Sequence, residues 1–132
     1  MFDYDKHEYV DFSVLKGKIL KEVRVNKGRD DSIVFVDSDD IEYIMMHQQD
    51  CCEGVSIESI EGNTMDLVDS EILIAEESSD GKVPTRAPDD YQPESETWTF
   101  YKLATVKGYV DIRWYGSSNG YYSESVSFYR NK

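Results

Sequence analysis

The sequence has few cysteines and no long apolar run. Its two cysteines, Cys51 and Cys52, are neighbours that cannot join distant segments, which excludes a framework of structural disulfides and favours a reducing compartment. No run of about 18 apolar residues is present, so we expect no membrane span. The acidic start, MFDYDKHEYV, lacks the charged and apolar regions of a signal peptide. These absences predict a cytoplasmic protein.

Catalytic and phosphate-binding motifs are also missing. The chain has no glycine-rich phosphate loop, no G-x-S-x-G and no H-E-x-x-H, and no carboxylate pair stands out from the acidic background. We therefore expect neither catalysis nor a cofactor.

One short segment contains several residue types that bind metals. It has no paired CxxC motif and no second histidine nearby, so a zinc site is disfavoured. We expect instead a buried thiol pair beside a hydrogen-bonded histidine, and no metal. The residues of this segment are His47, Asp50, Cys51, Cys52 and Glu53.

The length of the chain indicates how many domains it forms, and the distribution of charge distinguishes its segments. With 132 residues we expect one domain, covering 1–132, with one modest core. The net charge of −13 is unevenly spread: residues 1–36 carry seven basic and seven acidic side chains, residues 37–96 carry two and eighteen, and residues 97–132 carry five and two. The middle is strongly acidic and the last segment is locally basic. A solvated face and a surface built for a partner are both compatible with this pattern.

Short alternating runs of apolar and polar residues predict a mainly β, or β-rich α+β, fold. We expect a curved antiparallel sheet or a small barrel-like sandwich with one short helix over 64–69, capped by Asn63. The Ser-, Pro- and acid-rich stretch 77–96 predicts a flexible loop. Strands before the last segment are predicted over 18–26, 33–36, 41–47, 55–60 and 71–77.

The hairpin formed by the runs at 33–36 and 41–47 is apolar on both faces. Such a hairpin is typical of a central, covered position in a sheet. Its predicted faces group Ile33, Phe35, Ile44 and Met46 against Val34, Val36, Tyr43 and Met45.

The segment 97–129 reads as three strands joined by two tight turns. Alternation places Val110, Ile112 and Trp114 on an inner face. A two-residue loop at Lys107-Gly108 and a five-residue loop from Gly116 to Gly120 fix the predicted registers. The registers pair Leu103 with Ile112, Tyr101 with Trp114, Val126 with Val110 and Tyr122 with Trp114, and they leave Glu124 on the inner face at an edge or a bulge.

The outer face of this segment is the best candidate site. Arg113 offers a planar fork for phosphate oxygens, Lys102 adds a point charge, and aromatic rings are available to stack on a base. This pattern predicts a site for a small anionic ligand such as a nucleotide. The alternative is that Arg113 pairs with Asp111 or with another acidic neighbour across the sheet. The candidate ligand-binding residues are Phe100, Lys102, Arg113, Tyr115, Asn119, Tyr121 and Ser123.

The acidic middle of the chain offers a second candidate surface. Carboxylates spaced on a surface can imitate nucleic-acid phosphates and occupy a basic cleft, although charge of this density is more often a solvated face. The residues concerned are Asp37, Asp39, Asp40, Glu42, Glu58, Glu61, Asp66, Asp69, Glu76 and Glu77.

Three stretches resemble a family of small bacteriophage and prophage proteins that is carried as a domain of unknown function. They are HQQDCCEGVSIESIEG at 47–62, EILIAEE at 71–77 and TWTFYKLATVKGYVDIRWYGSSNGYYSESV at 97–126. The resemblance implies an antagonist of bacterial immunity in the host cytoplasm; some known antagonists capture cyclic-nucleotide signals, and others are acidic mimics that block nucleases.

The two candidate surfaces lead to two hypotheses. The first is a phage-encoded binding protein that sequesters a nucleotide immune signal, as a homo-oligomer whose subunits share the site. The second is an acidic inhibitor that docks on a host defence or nucleic-acid-processing enzyme. Neither hypothesis involves direct binding of nucleic acid. The net charge of −13 counts against the nucleotide hypothesis, because it repels anions at long range and the locally basic segment must outweigh that field.

Overall fold

Two antiparallel sheets pack face to face in the computed structural model, which describes residues 5–28, 30–49, 52–82, 95–119 and 123–131. No helix in these ranges has the length and apolar character needed to cross a bilayer. Two short 3₁₀ helices are present, η1 (Phe12–Leu15) and η2 (Thr64–Leu67). The strands of the described residues are β1 (His7–Tyr9), β2 (Leu20–Asn26), β3 (Ser32–Asp37), β4 (Glu42–Met46), β5 (Gly54–Glu61), β6 (Ile74–Lys82), β7 (Ser95–Thr105), β8 (Gly108–Ser118) and β9 (Ser127–Asn131).

The strand order separates the two sheets clearly. The first sheet has five strands in the order β1-β9-β4-β3-β2, and the second has four in the order β5-β8-β7-β6. All neighbouring strands within each sheet are antiparallel. The prediction of a mainly β fold is confirmed, in the form of a sandwich.

The core lies between the sheets and is aromatic and aliphatic. Val110, Ile112 and Trp114 of β8 are at most 2% exposed, as predicted for the inner face. Phe12 of η1 closes one side of the core with its ring against Tyr101, at a centroid distance of 4.7 Å. Burying such large side chains supplies most of the driving force for packing the sheets.

The hairpin of β3 and β4 is an internal part of its sheet, as its two apolar faces predict. The predicted grouping of its faces is wrong by one residue in β4. The register pairs Ile33 with Met45 and Phe35 with Tyr43, so these four side chains share the buried face. The turn between the strands sets this register, because the carboxylate of buried Asp37 accepts hydrogen bonds from the backbone amides of residues 39 and 41.

The loop of the β7–β8 hairpin is displaced by one residue from its predicted position. Thr105 pairs with Gly108, so the loop is Val106-Lys107, and Leu103 lies opposite Val110 instead of Ile112. Tyr101 likewise lies opposite Ile112 instead of Trp114. A shift of two in register keeps every side chain on its predicted face. Gly108 has φ of +155° and an added Cβ would lie 3.0 Å from the Asp66 carboxylate, which explains glycine at this position.

The third strand of the predicted unit lies in the other sheet. β9 pairs with β4 and β1, so the predicted pairing of Val126 with Val110 is wrong, and Tyr122 lies outside the described residues. Residues 123–126 instead cross from one sheet to the other. Glu124 on this crossover is buried, and no Cβ fits at Gly116 because it would lie 2.9 Å from the Glu124 Cβ.

Part of the predicted loop 77–96 is strand. β6 continues to residue 82 and β7 begins at residue 95, and the two pair in register from Ile74 with Ala104 to Lys82 with Glu96. Residues 83–94 lie outside the described part of the chain. The short helix is confirmed as η2, with the Asn63 side chain accepting a hydrogen bond from the Met65 amide at 2.9 Å.

Candidate functional site

The predicted ligand face is partly assembled on the outside of the four-stranded sheet. β7 and β8 are its two central strands, and their register pairs Phe100 with Arg113 and Lys102 with Asp111. These side chains point away from the core because they alternate with buried Tyr101 and Ile112. They line a groove of about 680 Å³, a size typical of small-ligand sites. We call it the outer groove; its outward-facing side chains are Ser59, Glu61, Glu76, Ser78, Phe100, Lys102, Asp111 and Arg113.

The strands that flank the basic hairpin come from the acidic middle of the chain. β5 and β6 lie on either side of β8 and β7 and bring Glu58, Glu61 and Glu76 beside the two cations. Glu61, Glu76 and Asp111 of the outer groove and Glu58, which pairs with Arg113 beside it, are four carboxylates around Lys102 and Arg113, so these six side chains sum to a formal charge of −2. The locally basic segment therefore does not make the outer groove basic.

Arg113 is engaged by one of these carboxylates. Its Nε donates to Glu58 Oε1 at 2.6 Å, and the two side chains are 47% and 36% exposed. This is the cross-strand pairing that the sequence offered as the alternative to a phosphate site. An exposed pair of this kind contributes at most about 1 kcal/mol, so a ligand can exchange with Glu58. Lys102 forms no ion pair with any described residue and extends into the same groove.

The remaining predicted site residues do not join the outer groove. Tyr115 is half-buried, and its hydroxyl donates a hydrogen bond to Glu96 at 2.9 Å. Its ring packs on Trp98, in the cross-strand pair next to that of Phe100 and Arg113 on the same face. Asn119 is exposed beyond the end of β8. Ser123 lies on the crossover and lines a different cavity. Tyr121 lies outside the described residues.

Apolar side chains are exposed on the same outer face. Phe100 is 38% exposed in the outer groove, and in a neighbouring row Ile74 is 38% and Tyr109 is 67% exposed on either side of Ala104. Exposed apolar groups with a charged rim are a common feature of protein interaction surfaces. Sequence alternation places Phe100 and Tyr109 on this face. It does not show that β6 pairs with β7 and adds Ile74 to the same face.

The second sequence cluster forms a buried hydrogen-bonded pair. His47 Nδ1 lies 2.6 Å from the Ser125 carbonyl oxygen, and Nε2 lies 2.7 Å from Glu53 Oε2. A carbonyl can only accept, so Nδ1 carries a proton and the crossover is tied to the end of β4. The predicted hydrogen-bonded histidine is therefore present.

The predicted buried thiol pair is wrong where the structure describes it. Cys52 is exposed and disulfide-bonded, and Asp50 and Cys51 lie outside the described residues. Within the described ranges, no group of three or more His, Cys, Asp or Glu side chains is arranged to hold a metal ion.

The acidic residues predicted for one surface occupy several places. Asp37 is buried in the β3–β4 turn and serves the fold. Asp39 and Asp40 lie in the same exposed turn, on the first sheet, whereas Glu58, Glu61 and Glu76 surround the outer groove. Glu77 is turned to the inner side of its strand, opposite Tyr101. The anionic surface is therefore a subset of the predicted residues, selected by strand pairing.

Comparison with known proteins identifies a family for this chain. No curated protein and no solved structure gives a significant match to the chain. A family model described as a domain of unknown function, DUF7448, matches residues 13–128, from within η1 to the first residues of β9. The chain therefore belongs to the DUF7448 family.

Proposed function

We propose that this protein is a non-catalytic binding protein that docks the outer face of its four-stranded sheet on a cationic surface of a partner protein. The observation that supports the proposal is the outer groove, where four carboxylates enclose two cations beside exposed apolar side chains. Proteins that process nucleic acids present cationic clefts because they bind phosphates. A partner of this class is therefore the best match in charge.

The arrangement of charges favours a protein over a phosphate ligand. The net charge of −13 gives long-range repulsion of any anion, and the four carboxylates of the outer groove add repulsion at close range. The same field accelerates association with a basic surface. Exposed Phe100 and Tyr109 supply apolar contact area that charges alone lack.

The resemblance to phage and prophage proteins suggests which partner this surface would bind. In a phage protein, docking of this kind would cover the nucleic-acid-binding cleft of a host defence or nucleic-acid-processing enzyme. A homo-oligomer formed through the outer face would bring like charges together, so oligomerisation, which stays a prediction, would require another surface.

A pair of variants with the same change in charge tests the docking face. Glu61→Gln/Glu76→Gln/Asp111→Asn neutralises the outer groove, and Glu22→Gln/Asp39→Asn/Asp40→Asn neutralises three exposed carboxylates of the first sheet. Proteins captured from a bacterial lysate are identified, and the affinity of each purified basic partner is measured by calorimetry. We expect the groove variant to bind roughly tenfold or more weakly and the control to change little.

Salt provides the second arm of this test. Raising KCl from about 50 to about 200 mM should weaken binding by the wild type and less so by the groove variant, since screening acts on the removed charges. Equal losses for the two variants would show that total charge, and not this face, is recognised. A captured partner whose surface is not basic would overturn the proposal.

Nucleotide sequestration is the second candidate. Its support is that Phe100, Lys102 and Arg113 line one open groove of suitable volume, with Arg113 held only by an exposed ion pair. A phosphate that displaced Glu58 would gain the bidentate contact of Arg113, and Phe100 would stack on the base.

Calorimetry against a panel of cyclic and linear nucleotides tests this candidate. If a nucleotide binds, Arg113→Ala should weaken binding by roughly tenfold or more, whereas Arg24→Ala on the other sheet should have no effect. Unchanged affinity in Arg113→Ala, or no binding across the panel, would eliminate the nucleotide site and leave the docking proposal intact.

A further inference from the structure

A second cavity lies at one end of the sandwich, between the inner side of β6 and β7 and the crossover at 123–126. Its volume is about 430 Å³. We call it the hydroxyl cavity, because five of its lining residues carry a hydroxyl and are not among the outward-facing side chains of the outer groove: Ser79, Thr97, Thr99, Ser123 and Ser125.

A buried carboxylate forms part of the cavity wall. Glu124 is 8% exposed and accepts hydrogen bonds from Thr97 Oγ1 at 2.6 Å, from Ser95 Oγ at 3.2 Å and from the Ser118 hydroxyl. Among the described residues, no lysine, arginine or histidine lies within ion-pair distance of Glu124. Within the described ranges, this buried carboxylate is therefore hydrogen-bonded by hydroxyls and has no cationic partner.

A second carboxylate faces the same space. Glu77 lines the hydroxyl cavity and is exposed. Beside it, the register places buried Tyr101, whose hydroxyl has no hydrogen-bond partner among the described residues. The two carboxylates give the cavity two formal negative charges, and none of the described residues that line it is basic. This lining disfavours phosphate and other anions.

We propose that the hydroxyl cavity binds a small organic cation through an ammonium or guanidinium group. Such groups carry several N–H donors and no acceptor, which complements a lining of carboxylate and hydroxyl oxygens. The carboxylates of Glu124 and Glu77 supply the counter-charge for such a group, and the described residues of the lining supply none of the opposite sign. The cavity opens on the inner side of β6 and β7 and the outer groove lies on the opposite side of the same strands, with Glu77 and Ser78 contributing to the lining of both.

Calorimetry and amide NMR with three soluble probes test this site in the full chain. Agmatine presents a guanidinium and an ammonium group, putrescine presents two ammonium groups, and 1,4-butanediol is a neutral analogue of similar length. We expect agmatine or putrescine to bind with amide shifts at residues 97, 99 and 123, and butanediol to produce none. Binding of one amine but not the other assigns the head group.

Two adjacent residues provide a matched pair of variants. Glu77→Gln removes a carboxylate from the hydroxyl cavity, and Glu76→Gln removes one from the outer face of the same strand. Glu77→Gln should weaken amine binding roughly tenfold, and Glu76→Gln should weaken it less than about twofold. Glu124→Gln, where it folds, should abolish binding. Equal effects of the two exposed variants, butanediol binding as well as the amines, or no amine binding would overturn the proposal.

Discussion

At the scale of single residues, Tyr101 is a buried group whose polar atom lacks a partner. Its side chain is 1% exposed, its ring packs on Phe12, and its hydroxyl forms no hydrogen bond with any described residue. Burial, and then the carboxylate of Glu77 across the strand pair, raise the pKa of Tyr101 above its ordinary value. The residue contributes apolar contacts but incurs the cost of an unsatisfied hydroxyl.

Tyr101→Phe should therefore stabilise the protein. Removing an unpaired buried hydroxyl while keeping the ring should raise the free energy of unfolding by about 1 kcal/mol, measured by urea denaturation near neutral pH. The control Tyr109→Phe, at a position that is 67% exposed, should change it by less than about 0.5 kcal/mol. A loss of stability in Tyr101→Phe would show that the hydroxyl has a bonding partner.

The same variant carries a pH dependence with a definite sign. Because the pKa of Tyr101 is higher in the folded state than in the unfolded state, the stability it provides is complete below the unfolded value of about 10 and is lost as pH rises above it. The stability advantage of Tyr101→Phe over the wild type should therefore grow above about pH 10. A constant difference between pH 8 and pH 11 would contradict this reading of the burial.

At the scale of elements, the junction of β8 with the crossover is the tightest point between strand and connection. Gly116 is buried, and an added Cβ would lie 2.9 Å from Glu124 Cβ, 3.0 Å from Glu124 O and 3.1 Å from Val55 Cγ2. Backbone and Cβ atoms cannot rotate away as a long side chain can. The absence of a side chain at this position lets the crossover pass against β8.

Gly116→Ala should destabilise the protein by about 1–3 kcal/mol, since the crossover must shift away from β8. Gly54→Ala in the neighbouring strand is the matched control, because its nearest atom, Ser117 Oγ, is 3.9 Å away, and it should change stability by less than about 0.5 kcal/mol. The free energy of unfolding of both variants is read from denaturant titrations. Similar free energies of unfolding for the two variants would mean that the crossover can move away from β8 without loss of stability.

The elements also show where sequence reasoning succeeds and where it stops. Alternation identified the buried faces of β7 and β8, and the cap at Asn63 located η2, since both signals are local. The Asn119-Gly120 pair favoured a hairpin into the last strand, yet β9 joins the other sheet. A turn signal specifies a change of direction, but the strand that accepts the next hydrogen bonds depends on packing of the whole chain.

At the scale of the whole molecule, strand pairing that the sequence does not specify also determines the charge of the candidate site. Lys102, Arg113 and Phe100 were predicted on one face and do converge on one groove. An acidic neighbour of Arg113 across the sheet was predicted only as an alternative and without naming Glu58, because the period of a strand specifies which side chains share a face but not which strands lie beside it. Only the order β5-β8-β7-β6 shows that the most basic part of the chain is enclosed by its most acidic part.

The position of β9 has a consequence for how the protein is made. β9 lies between β1 and β4, so the register joins His7 to Asn131 and Tyr43 to Arg130. On the ribosome, the strands of residues 7–46 emerge long before the strand that completes their sheet. Until then β4 has an open edge and β1 lacks its neighbour, so the five-stranded sheet can close only after β9 has left the exit tunnel.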